Sequence, residues 1–253
     1  MINAKSLFDR FLGPGSSGAG QLGSLLGQVT GGGAPLAGRG PAGRPGGIPA
    51  GFLGGAASGG LLGLLLGGRK KGLGGLMSHG GAAALGALAH RAYQNWQQGQ
   101  APASAPIATA RDAEAVAPGF QLSGTPAADG QPFELALVRA MIGAAKADGH
   151  IDAEEQRAIF AQVEEAGLDA EAKAFVFDAL SQPTDLGAIA ASAGTQEQAA
   201  ELYLATRLAI DVDEPAERAY LDALAHRLKL PPDLVAHLSA QGTAALEGKA
   251  LAG

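Results

Sequence analysis

Residues 133–155 read FELALVRAMIGAAKADGHIDAEE. Phe133, Leu135, Leu137, Val138, Met141 and Ile142 recur at the spacing of one helix face, and the stripe runs out near Ala147. An Asp148-Gly149 step then breaks the pattern, and Asp152, Glu154 and Glu155 follow within six residues. Asp152 and Glu155 stand three apart, the spacing of a capping box at the start of a second helix. Acids in a first turn also suit the positive end of the helix dipole. Capping accounts for Asp152, Glu154 and Glu155 and leaves Asp148 over. The stretch is not an EF-hand: counted from Asp148, position six is Ala153 rather than Gly, and position twelve is Ile159 rather than Glu.

Outward from this stretch the pattern is helical throughout. Ile159, Phe160 and Val163 mark a helix stopped by Gly167, and Phe175, Val176, Phe177 and Leu180 mark another, stopped before Pro183. A short helix starts at Asp185. Leu202, Tyr203, Leu204, Leu208 and Ile210 form a longer one, followed by Tyr220, Leu221, Leu224 and Leu228. Leu234, Val235 and Leu238 form the last, entered through Pro231-Pro232. No alternating β-branched run appears. The expectation is an all-α, compact seven-helix domain over 131–245, with 128–253 folding alone.

The opening motif has a second copy. LAIDVDEPAERAYLDALA at 208–225 again runs from a helix through Asp211 and Asp213 to a first-turn Glu217. If the two units pack together, Asp148, Glu155, Asp211 and Glu217 converge. Several carboxylates without sulfur suit a hard divalent cation such as Ca²⁺, Mg²⁺ or Mn²⁺.

The rest of the chain differs in composition. Residues 1–100 hold 29 of the 40 glycines and eight Lys/Arg against one acid, Asp9, whereas 101–253 hold ten Lys/Arg against 23 Asp/Glu. So acidic a half does not fit nucleic acid. The chain has no cysteine, which excludes disulfides and thiolate sites. Residues 1–46 read as a short amphipathic helix and a disordered Gly/Pro-rich linker. Residues 47–91 read as a glycine-zipper membrane segment. Gly51, Gly55, Gly59, Gly63 and Gly67 recur every fourth residue within an uncharged stretch long enough to cross a bilayer, and Arg69-Lys70-Lys71 follows. Gly74, Ser78, Ala82 and Gly86 continue the small-residue spacing, in a second span or an interfacial helix, with Tyr93 and Trp96 placed as an interfacial pair. Residues 92–130 read as linker. The localisation expected from these residues is a membrane with the C-terminal domain cytoplasmic, and self-association through the zipper.

AKADGHIDAEEQ, with LAIDVDEPAERAYLDALAHRLKLP after it, resembles the TerB-like domain of tellurite-resistance proteins, in the branch of bacterial inner-membrane proteins of unknown function. The resemblance covers 132–240 by motif and 48–90 by composition. It implies an all-helical fold, a bacterial inner-membrane location and an acidic metal-associated site, carried here to Asp148, Glu155, Asp211 and Glu217 with Asp152 and Asp213 nearby. The function expected is a membrane-anchored acidic module binding a divalent cation and protein partners in envelope or metal stress. The alternatives are a structural scaffold whose acids are caps, or a metal-assisted hydrolase. No Ser/His/Asp arrangement, phosphate loop or HExxH motif is present, so no catalytic residue is assigned. His226 and His237 are expected on solvated helix faces, and His150 in a solvated turn.

Overall fold

The segment QEQAAELYLATRLA buries eleven of its fourteen residues, from Gln198 to Ala209. A helix buried on all sides is the centre of a bundle rather than a wall of it. The computed structural model describes residues 2–12, 81–122, 126–147, 168–210, 212 and 215–251. In chain order these form α1 (Ala4–Leu12), α2 (Gly81–Gln97), α3 (Ala110–Glu114), a 3-10 turn (Pro118–Phe120), α4 (Phe133–Ala145), α5 (Ala170–Ser181), α6 (Leu186–Ala191), α7 (Gln196–Ala209), α8 (Pro215–Arg227) and α9 (Pro232–Leu246). Among the described residues there is no strand, only an isolated bridge between Pro126 and Pro132. The fold is all-α. The helix expected around Ile159, Phe160 and Val163 lies outside the described residues, and with it the count of seven.

The central helix is α7, with α2, α4, α8 and α9 packed around it. Its start is fixed by Thr195, whose hydroxyl accepts from the Gln198 amide at 3.2 Å. Asp169 caps α5 by accepting from the Ala172 amide at 2.7 Å, and Asp185 caps α6 from Gly187 and Ala188 at 2.8 and 3.0 Å. Of these three starts, the one at Asp185 is the one expected from the sequence.

The expectations for the N-terminal half need correction. Among the described residues no helix is long and apolar enough to cross a membrane, which overturns the transmembrane helix and the inner-membrane location. Residues 47–80, with the zipper glycines, lie outside the described residues. The described remainder of the expected membrane segment, 81–91, opens α2, which packs on α7 and α9. Its Ala84, Leu85, Leu88, Ala89 and Ala92 are fully buried, so the partner of this small-residue face is protein. Tyr93 and Trp96 meet edge to face at 5.3 Å, Tyr93 also meets Phe120 at 5.4 Å, and the Tyr93 hydroxyl donates to Gln196 Oε1 at 3.0 Å. The aromatic pair joins α2 to the 3-10 turn and to the start of α7.

Within the expected linker, 92–130, the described residues are bound to the helices. Gln241 of α9 accepts from the Ala108 amide at 3.0 Å and donates to the Pro106 carbonyl at 2.8 Å. Asn95 also donates to that carbonyl at 2.9 Å, and the Leu251 amide donates to the Ala108 carbonyl at 2.8 Å. His237 is 3% exposed and its Nε2 stands 3.0 Å from the Gln100 carbonyl, so it is no solvated residue; His226 is exposed. Residues 100–108 are a strap held by side chains on two helices. The N-terminal helix α1 also docks, against α2 and α4.

Candidate functional site

Two helices lead into the acidic turns, α4 into the first and α7 into the second. Near the start of α4, Glu134 lies close enough to Glu201, in the first half of α7, for their charges to interact. At the other end of α4, a Cβ on Gly143 would stand 2.7 Å from the hydroxyl of Tyr220, on the helix that follows α7. The last turn of α4 therefore packs against α8, the helix that leaves the second acidic turn.

Three cations near the ends of α4 and α7 and the start of α8 reach backbone carbonyls. Lys146 donates to the Leu180 carbonyl at 2.9 Å, to the Gln182 carbonyl, and over 3.5 Å to that of Ala179. A lysine at these carbonyls complements the negative end of α5, and burial pulls its pKa down. Arg207 reaches the Ile210 carbonyl at 3.4 Å and Thr243 Oγ1 at 3.3 Å, and Arg218 donates to the Val212 carbonyl at 3.1 Å. The two arginines thus hold the entry to α8. Burial pushes the Tyr220 hydroxyl well above the usual tyrosine range, and it has no hydrogen-bond partner among the described residues.

Of the expected ligands only Glu217 lies among the described residues; it is half-buried in the first turn of α8. Asp148, Asp152, Glu155, Asp211 and Asp213 lie outside them, as does His150. Among the described residues no group of three or more His, Cys, Asp or Glu is placed to hold a metal ion.

A second acidic feature escaped the sequence reading. Glu201 is 1% exposed on α7, and its Oε1 has no hydrogen-bond partner among the described residues. Burial drives its pKa well up, and Glu197 and Glu134 push the same way. Burial likewise raises Glu134, against the pull of Lys5. The signal was available: Glu201 precedes Leu204, Ala205 and Leu208 at helical spacing, on a face that is otherwise apolar.

An acid whose folded pKa is raised contributes stability fully present below its unfolded value, and that contribution is lost as pH climbs through the folded value. Glu201→Leu is therefore expected to stabilise the chain at pH 7 by about 1–3 kcal/mol, and to flatten the fall in stability above the ordinary glutamate range. Urea melts at pH 4.5 and pH 7.5 check this; an equal loss at both values would place the carboxylate in a favourable contact instead.

A model of the family described as "Protein of unknown function (DUF533)" matches residues 51–242. A protein of Yersinia enterocolitica, described as "Uncharacterized protein in ampR 5'region", is 41% identical over 98 residues, which span 39% of this chain and 70% of the relative. No solved structure matches.

Proposed function

Because the chain belongs to the DUF533 family of proteins of unknown function, we propose its role from its residues: a TerB-like, non-enzymatic acidic module that holds a divalent cation between its two acidic turns and engages a protein partner in metal stress. The observation that carries this reading is the approach of α4 to α8: a Cβ on Gly143, in the helix that leads into the first acidic turn, would stand 2.7 Å from the hydroxyl of Tyr220, in the helix that leaves the second. It supports bringing Asp148, Asp152 and Glu155 towards Asp211, Asp213 and Glu217. The commitment of Lys146 to the end of α5 supports it too, because the cation nearest in sequence to the first turn is spent elsewhere. Carboxylates drawn together repel until a positive ion joins them, and oxygen ligands alone favour Ca²⁺, Mg²⁺ or Mn²⁺.

A second reading, a scaffold whose acids are all caps, is favoured by a specific observation: Asp169 and Asp185 each cap a helix through backbone amides. Melting the full chain in chelator and in millimolar Ca²⁺, Mg²⁺ or Mn²⁺ separates the two. A bound ion present at 100 times its Kd adds about 2.7 kcal/mol. Asp148→Asn and Asp211→Asn are each expected to abolish that gain and to raise the melting temperature in chelator. A melt unchanged by every ion, with Asp152→Ala costing about 0.5–2 kcal/mol as a lost cap, would return the acids to the scaffold reading.

A further inference from the structure

Arg227 ends α8, and Lys229 follows two residues on. Both side chains are exposed, and neither has a hydrogen-bond or ion-pair partner among the described residues. The surrounding half of the chain holds ten Lys/Arg against 23 acids, so carboxylates to pair with are not scarce. The helix dipole accounts for a cation in the last turn of α8. It does not account for the backbone of Lys229. The end of α8 is a Schellman turn: the Lys229 amide donates to the His226 carbonyl and the Leu230 amide to the Ala225 carbonyl, each at 3.1 Å. That turn sets Lys229 at φ 54°, in the left-handed region where glycine is the ordinary occupant. A side chain there strains the backbone, and this ammonium makes no polar contact in return.

The two cations line one cleft of about 550 Å³ between α6, the start of α7 and the end of α8. No described acid lines it. Asp185 stands beside Arg227, with its Oδ1 taken up by the Gly187 and Ala188 amides, and Glu197 lies against Gly119 of the 3-10 turn. Much of the remaining lining is small: Ala190, Ala193, Gly194 and Ala199. We propose that this cleft is a docking site for an acidic peptide segment of a partner protein, with its carboxylates on Arg227 and Lys229 and its main chain over the small residues. Charge complementarity selects the occupant. The Arg227 fork takes a carboxylate through two parallel bonds, and Lys229 supplies a point charge beside it. The size and the small lining favour a peptide over a lone ion. A single oxyanion would leave most of the space to water, whereas residues with little or no side chain let another backbone come close.

The test uses the full chain in chelator, so no cation at the acidic turns contributes. An alternating Ala/Glu octapeptide is titrated while the amide signals of Ala190, Ala193, Gly194 and Leu228 are followed. An Ala/Lys octapeptide and inorganic phosphate are run beside it. The Ala/Glu peptide is expected to move these signals, the Ala/Lys peptide to leave them, and phosphate to bind at least tenfold more weakly. Lys229→Gly is expected to raise the melting temperature, by relieving the left-handed lysine, and to weaken the Ala/Glu peptide at least fivefold. A lysine with only a structural role would not move stability and binding in opposite directions. Ala191→Trp, at an exposed position in the lining, is expected to weaken the peptide as much with both cations intact. Signals that stay still under the Ala/Glu peptide would overturn the proposal, and so would equal binding by the wild-type and Lys229→Gly chains. Phosphate bound as tightly as the peptide would make the cleft a site for free anions and overturn the peptide. Signals that move with protein concentration alone would assign it to a second copy of the chain and overturn the partner.

Discussion

A fragment starting at residue 128 is expected to lose cooperative unfolding, while one starting at residue 81 keeps it. The shorter piece retains α4 to α9 but lacks α2, which lies along both α7 and α9. Leu85 and Leu88 are fully buried in that contact, and each such side chain contributes about 1.5–3 kcal/mol. The faces they cover would open to water at the same time. Against a total stability of about 5–15 kcal/mol for a domain, that loss is decisive. Calorimetry and dye binding to exposed apolar surface read the outcome. A sharp transition in the 128–253 fragment, at the temperature of the 81–253 fragment, would show that the N-terminal helices are accessory. The sequence reading placed the start of an independent unit at 128, because the Gly- and Ala-rich segment before it carries no strong stripe.

The second large effect is expected at Gly86. A Cβ built there runs into the carbonyl oxygen of Phe120 and stands 3.2 Å from Val116. The obstacle is backbone, which cannot turn aside as a side-chain tip can. Gly86→Leu is expected to destabilise by about 3 kcal/mol and to pull the 3-10 turn off α2, which a loss of amide protection at Phe120 and Leu122 would report. Full stability in this variant would mean that the turn shifts freely and that α2 needs no close approach.

Gly86 also shows why the sequence was legible for one half and misleading for the other. Small residues at four-residue spacing signal that something approaches the helix closely, and the Phe120 backbone does. Spacing does not name the partner, and Ala and Leu look alike facing lipid or a protein core. The polar residues of α2 were the better guide, since Asn95 is buried and bonded to Pro106. By contrast α4, α5, α7, α8 and α9 were legible because large apolar side chains mark one face unambiguously, and α6 because Asp185 stands where a cap belongs. The strap was illegible because its anchor, Gln241, lies 133 residues from Ala108. The repeated turn was visible as a pattern, whereas the approach of Gly143 in α4 to Tyr220 in α8 emerges only from packing. Glu134 and Glu201 were missed because one acid within an apolar run passes for the edge of a solvated face.

The strap carries a last consequence, for how this part of the chain tolerates change. Gln241 grips the Pro106 carbonyl and the Ala108 amide, atoms that nearly every amino acid supplies, while Ile107 between them is exposed. Recognition of this kind is blind to side-chain identity along 101–107. In a saturation library those positions would drift almost without penalty, Ala108 would stay small because it is buried, and Gln241 would accept no substitute. Glutamate there would lose the donor and leucine would lose both contacts. Variation would collect on the belt, and the constraint on the side chains that buckle it, Gln241 first and Asn95 and His237 with it.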